Sequence, residues 1–332
     1  MRAPKTSGGR TVGRRDALWY AAAAGLGAPV AVVPSQQLHF ATLEARITPA
    51  IAELRTTLAA QEALAGTLLR LAFHDSVTRD GGEGGANGSV RYELTWRENR
   101  HLGIALQALE PIQARHGCSL ADLIACGGAL AVSSAGGPSI SLRELGLGRH
   151  DSTSADPRQL RSPVGTRGCP PSPKECRGRV DSTLPSTGLD TDGLRRFFSR
   201  LGFSVEEAVA LCGAHTLGRH ASLIGVSKTC LREKPLSDAC IESGKRLPFV
   251  GGDPDAFSNS YFKALLAWEE RTLQPGDANF IPTDVVLTLS PKLREVVRSF
   301  AEDERRFFAA FRRAYLRLVR IGFTPLGREE PG

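Results

Sequence analysis

The stretch Leu69-Arg70-Leu71-Ala72-Phe73-His74-Asp75 decides the reading of this chain. Its apolar positions recur at helical intervals, and residues four apart on a helix share one face about a turn apart. Arg70 and His74 therefore point the same way, with Phe73 beside them. A permanent cation and a titratable imidazole facing one cavity can work together, the imidazole moving a proton while the guanidinium stabilises developing negative charge. Spacing alone also fits a blander alternative, an exposed Arg/His pair on an amphipathic surface.

A second stretch, Ala210-Leu211-Cys212-Gly213-Ala214-His215-Thr216-Leu217-Gly218-Arg219, changes that balance. His215 ends an apolar helix among small Gly and Ala residues, where a flat macrocycle can come close enough for the imidazole to ligate its iron. The single methionine is Met1, so Met ligation is excluded. A ligating histidine normally donates its other ring proton to a carboxylate, which orients it and makes it a stronger donor. Asp284, in Ile281-Pro282-Thr283-Asp284, is the candidate acceptor. Opposite such an iron, the Arg70/His74 pair suits hydrogen peroxide: the imidazole takes a proton from the oxygen nearer the iron and returns it to the departing one.

Working outward, helical periodicity dominates and strand signals are few. Ser119 followed by Asp122, and Ser204 followed by Glu207, resemble capping boxes, so helices are expected to begin near 120 and 205. Ser290-Pro291 places an N-cap before a proline at the first helical position, and Glu302 to Arg320 reads as an amphipathic helix. Further helices are expected at about 40–58, 62–77, 99–115, 190–200 and 258–270. Long loops rich in Gly, Pro and Ser fill 146–190 and 224–256, a length usually functional or insertional.

The 332 residues carry a net charge of +7, but residues 1–37 hold Arg2, Lys5, Arg10, Arg14 and Arg15 against Asp16, leaving about +3 for the rest. No later segment interleaves Lys and Arg with aromatics, so nucleic acid is not an expected partner. The Arg-rich start, followed by an Ala/Gly-rich apolar run from Ala17 to Val33, reads as an address. Arg14-Arg15 before that run looks like a twin-arginine signal, pointing to a plastid, stroma or lumen. Ala and Gly partition weakly into hydrocarbon, so no stable membrane insertion is expected after processing. Cys169 with Cys176, and Cys230 with Cys240, lie in loop-like stretches where bridging is feasible, while Cys118, Cys126 and Cys212 sit in apolar helical context. No Cys-x-x-Cys spacing suggests structural zinc.

Taken with Tyr92-Glu93-Leu94, Arg97-Glu98-Asn99, Gly136-Gly137-Pro138, Leu147-Gly148-Arg149, Phe257-Ser258-Asn259-Ser260-Tyr261-Phe262 and Tyr315-Leu316-Arg317-Leu318, the chain resembles the plant-type haem peroxidase superfamily. Within it the likeness is to the ascorbate peroxidase-related proteins of plastids. The resemblance implies a mainly helical, all-α fold with one haem b between a distal lobe (about 38–145) and a proximal lobe (about 190–325). Residues 1–37 would form a targeting segment, about 150–190 and 224–256 loop insertions, and 326–332 a tail. It implies Arg70 and His74 as the distal pair, Asn99 as acceptor of the His74 proton, His215 as axial ligand and Asp284 as its partner. Phe73, Pro138, Arg219 and Phe249 would line the haem, Arg219 meeting a propionate. Thr216 and Asp253 fall near a K or Ca site of ascorbate peroxidases, although Ser258 stands where an aspartate is expected.

Departures from the family bear on the electron donor. Phe73 stands for a distal tryptophan, Phe249 is the nearest counterpart of a proximal one, and Ile224 replaces the arginine that binds ascorbate. The expected activity is reduction of hydrogen peroxide by a small organic donor, phenolic before ascorbate, in a monomer or weak dimer. The competing reading is a haem-binding or structural plastid protein with little turnover, which fold alone does not exclude. A mere haem carrier would not need Arg70, His74 and Asn99.

Overall fold

A computed structural model describes residues 35–61, 64–156, 184–185, 188–221, 227, 229, 245–274 and 277–323. The targeting segment up to residue 34, Ile224, and all four cysteines expected to bridge lie outside them. The described chain is mainly helical, as expected. In order come α1 (Ser35–Ala60), α2 (Leu64–Ser76), α3 (Gly103–His116), α4 (Leu120–Ser134), α5 (Leu142–Leu145), α6 (Thr191–Arg200) and α7 (Val205–Cys212). A hairpin of β1 (Arg219–Ala221) and β2 (Arg246–Pro248) follows, then α8 (Ser260–Glu269), α9 (Pro282–Leu289), α10 (Pro291–Glu302) and α11 (Glu304–Leu318). Helix α1 starts three residues before the expected domain border at 38. Helix α9 was not read in the sequence, because its eight residues are too few for the apolar period to declare itself.

One continuous core has two regions of different character, one around the Arg70/His74 helix and one around His215. In the first, α2 packs on α4 and α1 on α3 and α4, through aliphatic residues such as Leu54, Leu68, Leu71, Leu109 and Leu123. Gly128 makes the tightest contact possible: a Cβ there would meet Ala72 at 2.9 Å and the hydroxyl of Tyr315, which donates to Ala125 O (2.8 Å). The second region is aromatic instead. Phe257, Phe262, Phe300, Phe307 and Phe311 interlock between α8, α10 and α11, with centroids as close as 4.7 Å. Each such ring contributes roughly 1.5–3 kcal/mol by burial.

Arg149 ties α4 and α5 to the end of α11. Its guanidinium is buried and every N–H is used, on Asp122, the carbonyls of Leu145 and Gly146, and Val319 O at the end of α11. A buried charge is tolerated only with such complete pairing. This use of Asp122 corrects one expectation. Ser119 does cap α4 by accepting from Asp122 N (3.0 Å), but the Asp122 carboxylate turns to Arg149 and Gly148 N, and Asp151 takes the free amides of Leu120 and Ala121. At α7 the expected reciprocal box between Ser204 and Glu207 is complete.

Candidate active site

The end of α2 carries the distal pair, and one short turn orients both members. Arg70 donates through Nη1 to Arg100 O (2.7 Å) and through Nη2 to Glu98 O. Between those two residues, Asn99 accepts from His74 Nδ1 (2.8 Å). The Asn99 amide nitrogen donates to Glu93 O (3.1 Å), so its orientation is set and Oδ1 can only accept. His74 is thereby held as the tautomer with Nδ1 protonated, and Nε2 is left as a base. Burial and the nearby Arg70 charge lower the His74 pKa to about 3, with the Asn99 bond opposing them. Burial, helped by the charge of Arg246, lowers Arg70 to about 10, which leaves it a cation at neutral pH.

Phe73 lies edge-on to His74 at 5.9 Å and packs on Phe197 and Phe198 of α6 at 6.4 Å. Glu93, fully buried, accepts from Asp156 N (3.0 Å), and Asp75 beside it accepts from Gly88 N and Val90 N. These carboxylates brace the loop that carries Asn99. Burial pushes Asp75 up to about 8 and raises Glu93, each against its backbone hydrogen bonds.

On the proximal side His215 sits in a 3₁₀ turn, Gly213–Thr216, that continues α7. Gly213 is required there, since a Cβ would strike Phe307 and Phe262 at 2.6 and 2.7 Å. His215 Nδ1 meets Asp284 Oδ1 at 2.6 Å across 69 residues of sequence. Asp284, on the first turn of α9, also accepts from Ile281 N at Oδ2 (2.9 Å) and from the Tyr261 hydroxyl at Oδ1 (2.8 Å). Burial and the Asp284 charge raise Tyr261 well above its usual range, so it remains a donor. Phe249 stacks on the imidazole at 4.0 Å and 10°, and His220, donating to Asn279 O (2.5 Å), lies on Phe249 at 4.7 Å.

The structure thus brings together Arg70, His74 and Asn99 in one group and His215, Asp284 and Phe249 in another. The remaining expected site residues are elsewhere engaged. Arg219 forks onto Asp255 (3.2 and 3.1 Å), and Pro138 is half-buried in the loop after α4. Thr216 shares a hydrogen bond with Ser260 (3.0 Å), while Asp253 caps its own loop at Asp255 N (2.9 Å). Among the described residues no group of three or more His, Cys, Asp or Glu is placed to hold a metal ion.

Sequence reasoning missed two residues. Tyr261 stood inside a recognised motif without a role. Arg246, exposed at the start of β2, pairs across the hairpin with Ala221 and donates to Arg219 O (3.1 Å). No local signal marks it, because its partners lie across the segment between the two strands.

A flat iron-bearing group fits this donor set. The His215 side chain is 32% exposed although Asp284 behind it is 1% exposed, and its one protein hydrogen bond among the described residues leaves Nε2 for a metal. A carboxylate acceptor behind a partly open imidazole is one of the usual settings of a metal-ligating histidine.

Residues 50–303 match the family model described as peroxidase. Among curated proteins, the chain is 34% identical over 266 residues to L-ascorbate peroxidase 5, peroxisomal, of Arabidopsis thaliana, covering 78% of this chain and 76% of that one. It is 32% identical over 273 residues to L-ascorbate peroxidase 1, cytosolic, of Oryza sativa subsp. japonica, covering 80% and 89%. A third relative, "Probable L-ascorbate peroxidase 8, chloroplastic" of the same species, is 33% identical over 265 residues, and the match spans 49% of its length.

Proposed function

Because the chain belongs to the plant-type haem peroxidase family, oxidoreductases that act on hydrogen peroxide, we propose that Arg70, His74 and Asn99 act on the peroxide and His215 with Asp284 holds the haem. When bound, the haem b, one per chain, supplies the redox chemistry. His74 Nε2 takes the proton of the peroxide oxygen nearer the iron and delivers it to the departing oxygen. Arg70, held on two carbonyls, stabilises the charge that develops as the bond breaks. The observation that carries this reading is the single turn 98–100, which aims both side chains at once. A structural protein with little turnover has no use for that arrangement. No step of the reading is routed through a K or Ca ion; Thr216 and Asp253, expected near such a site, bond to Ser260 Oγ and Asp255 N.

The electron donor is a small organic molecule, with neutral phenols ahead of ascorbate. Phe249, stacked on His215, has no indole nitrogen and is hard to oxidise, so the second oxidising equivalent does not rest on a proximal tryptophan. One observation favours an anionic donor as a second reading: Arg246 extends the positive field of Arg70 and Arg219 from the hairpin. Address and assembly stay with the sequence: a plastid protein, monomer or weak dimer, and the relatives' named compartments differ. Among the described residues no helix is long and apolar enough to cross a membrane.

The test is reconstitution with haemin, one equivalent of peroxide with the Soret band followed, then ascorbate and guaiacol side by side. A changing Soret band and a higher kcat/KM for guaiacol support the first reading. Ascorbate saturating at low concentration, and losing that saturation in Arg246→Leu, establishes the second. A ferric spectrum that never changes overturns both.

A further inference from the structure

We propose that Tyr261 is a positioning residue that sets how strongly His215 can donate to a metal, by competing with it for Asp284 Oδ1. The inference rests on the reading of His215 as axial ligand. It starts from an acceptor shared by two donors: His215 Nδ1 at 2.6 Å and the Tyr261 hydroxyl at 2.8 Å reach the same carboxylate oxygen. The carboxylate has no freedom to separate them, because Oδ2 is tied to Ile281 N at 2.9 Å on the first turn of α9. Nor can the tyrosine withdraw. Its side chain is fully buried, with its ring edge-on to Phe262 at 5.1 Å, to Phe280 at 6.0 Å and to the His215 imidazole at 5.9 Å.

Each donor on a carboxylate oxygen draws off part of its charge and so weakens the acceptor offered to the other. In a buried site with few screening partners that competition is felt more strongly than in water. Remove the hydroxyl, and Oδ1 faces His215 alone. The Nδ1–H bond then tightens, the imidazole gains imidazolate character and becomes a stronger donor to whatever Nε2 binds. The opposite face of His215 offers no such control, since Phe249 stacks there without a polar hydrogen. Tyr261 is therefore the one described side chain, apart from His215 itself, that donates to Asp284.

The experiment compares the full-length parent, Tyr261→Phe, Asp284→Asn and a chain carrying difluorotyrosine at 261. Each is reconstituted with haemin, and the ferric/ferrous midpoint potential and the ferrous iron–histidine stretch are measured. The His215 Nδ1–H resonance is followed in the haem-free chains. Tyr261→Phe should shift the potential negative, raise the stretching frequency and move the proton resonance downfield. Difluorotyrosine, a stronger donor that keeps the ring and hydroxyl, should move all three the other way, and it stands in if Tyr261→Phe does not fold. Asp284→Asn should shift the potential positive. If only Asp284→Asn moves it, Tyr261 is structural and the inference falls while His215 keeps its role. If no variant moves it and His215→Ala still holds haem, the ligand reading itself fails.

Discussion

His74 and His215 use the same ring nitrogen in the same way, each placing Nδ1 on a side-chain oxygen, yet one oxygen belongs to an amide and the other to a carboxylate. That difference divides their chemistry. Asn99, locked by its own bond to Glu93 O, orients His74 without stabilising its protonated form enough to offset burial and Arg70. The result is a neutral base. Asp284 instead loads negative charge behind His215, which makes the far nitrogen a strong donor. The packing around them differs too: His74 meets Phe73 edge-on at 5.9 Å, whereas His215 lies flat against Phe249 at 4.0 Å.

The largest expected effect comes from removing the better donor. His215→Ala should abolish stoichiometric haem retention, since no Met or described Cys is placed to substitute, and a pyridine haemochrome assay on the purified variant measures it. Unchanged stoichiometry and spectrum would mean that the two histidines do not differ in this way. His74→Leu should retain haem but slow the reaction with peroxide by roughly 10² to 10⁴, with Arg70→Leu slowed less, as stopped-flow mixing would record. Both variants reacting at the parent rate would remove the distal assignment.

Exchanging the acceptors sharpens the comparison. In the parent, with His74 lowered to about 3, the peroxide rate constant should stay level from pH 8 to about 4, with no inflection near 6.5. Asn99→Asp should bring an inflection into that range, because an adjacent carboxylate raises a histidine pKa by roughly 1 to 3. A flat profile in the variant would show that burial alone governs His74.

The smallest effect is on stability. His74 has a depressed folded pKa, so between about 3 and 6.5 the unfolded chain binds a proton that the folded one refuses. This histidine's contribution is present above 6.5 and is lost as pH falls through that window. Urea unfolding at pH 7 and pH 4.5 should therefore show a smaller acid loss in His74→Leu than in the parent. Equal losses would indicate that His74 titrates normally in the folded state.

Much of this is legible in the amino-acid sequence. The Arg70/His74 spacing, the cap at Ser204 and the small residues around His215 are local patterns, and helices α2 and α7 follow from them. The real use of Asp122 was not legible, because a carboxylate three residues after a serine fits a capping box equally well. Arg246 and Arg219 show the same limit from the other side. The propionate contact expected of Arg219 was carried by sequence position, whereas Asp255 and the hairpin partner became visible only in space.

By itself, the sequence determined which side chains share a helical face, since a 3.6-residue period is a property of the local backbone. That sufficed to name two histidines, an arginine and the helices that carry them. Only the tertiary structure decided what stands behind each imidazole. Those partners lie 25 and 69 residues away along the chain, and the hydroxyl that shares the second carboxylate comes from yet another helix. A proton affinity or a donor strength depends on the oxygen actually in contact, and the packing of α2, the 97–99 turn, α8 and α9 sets that contact.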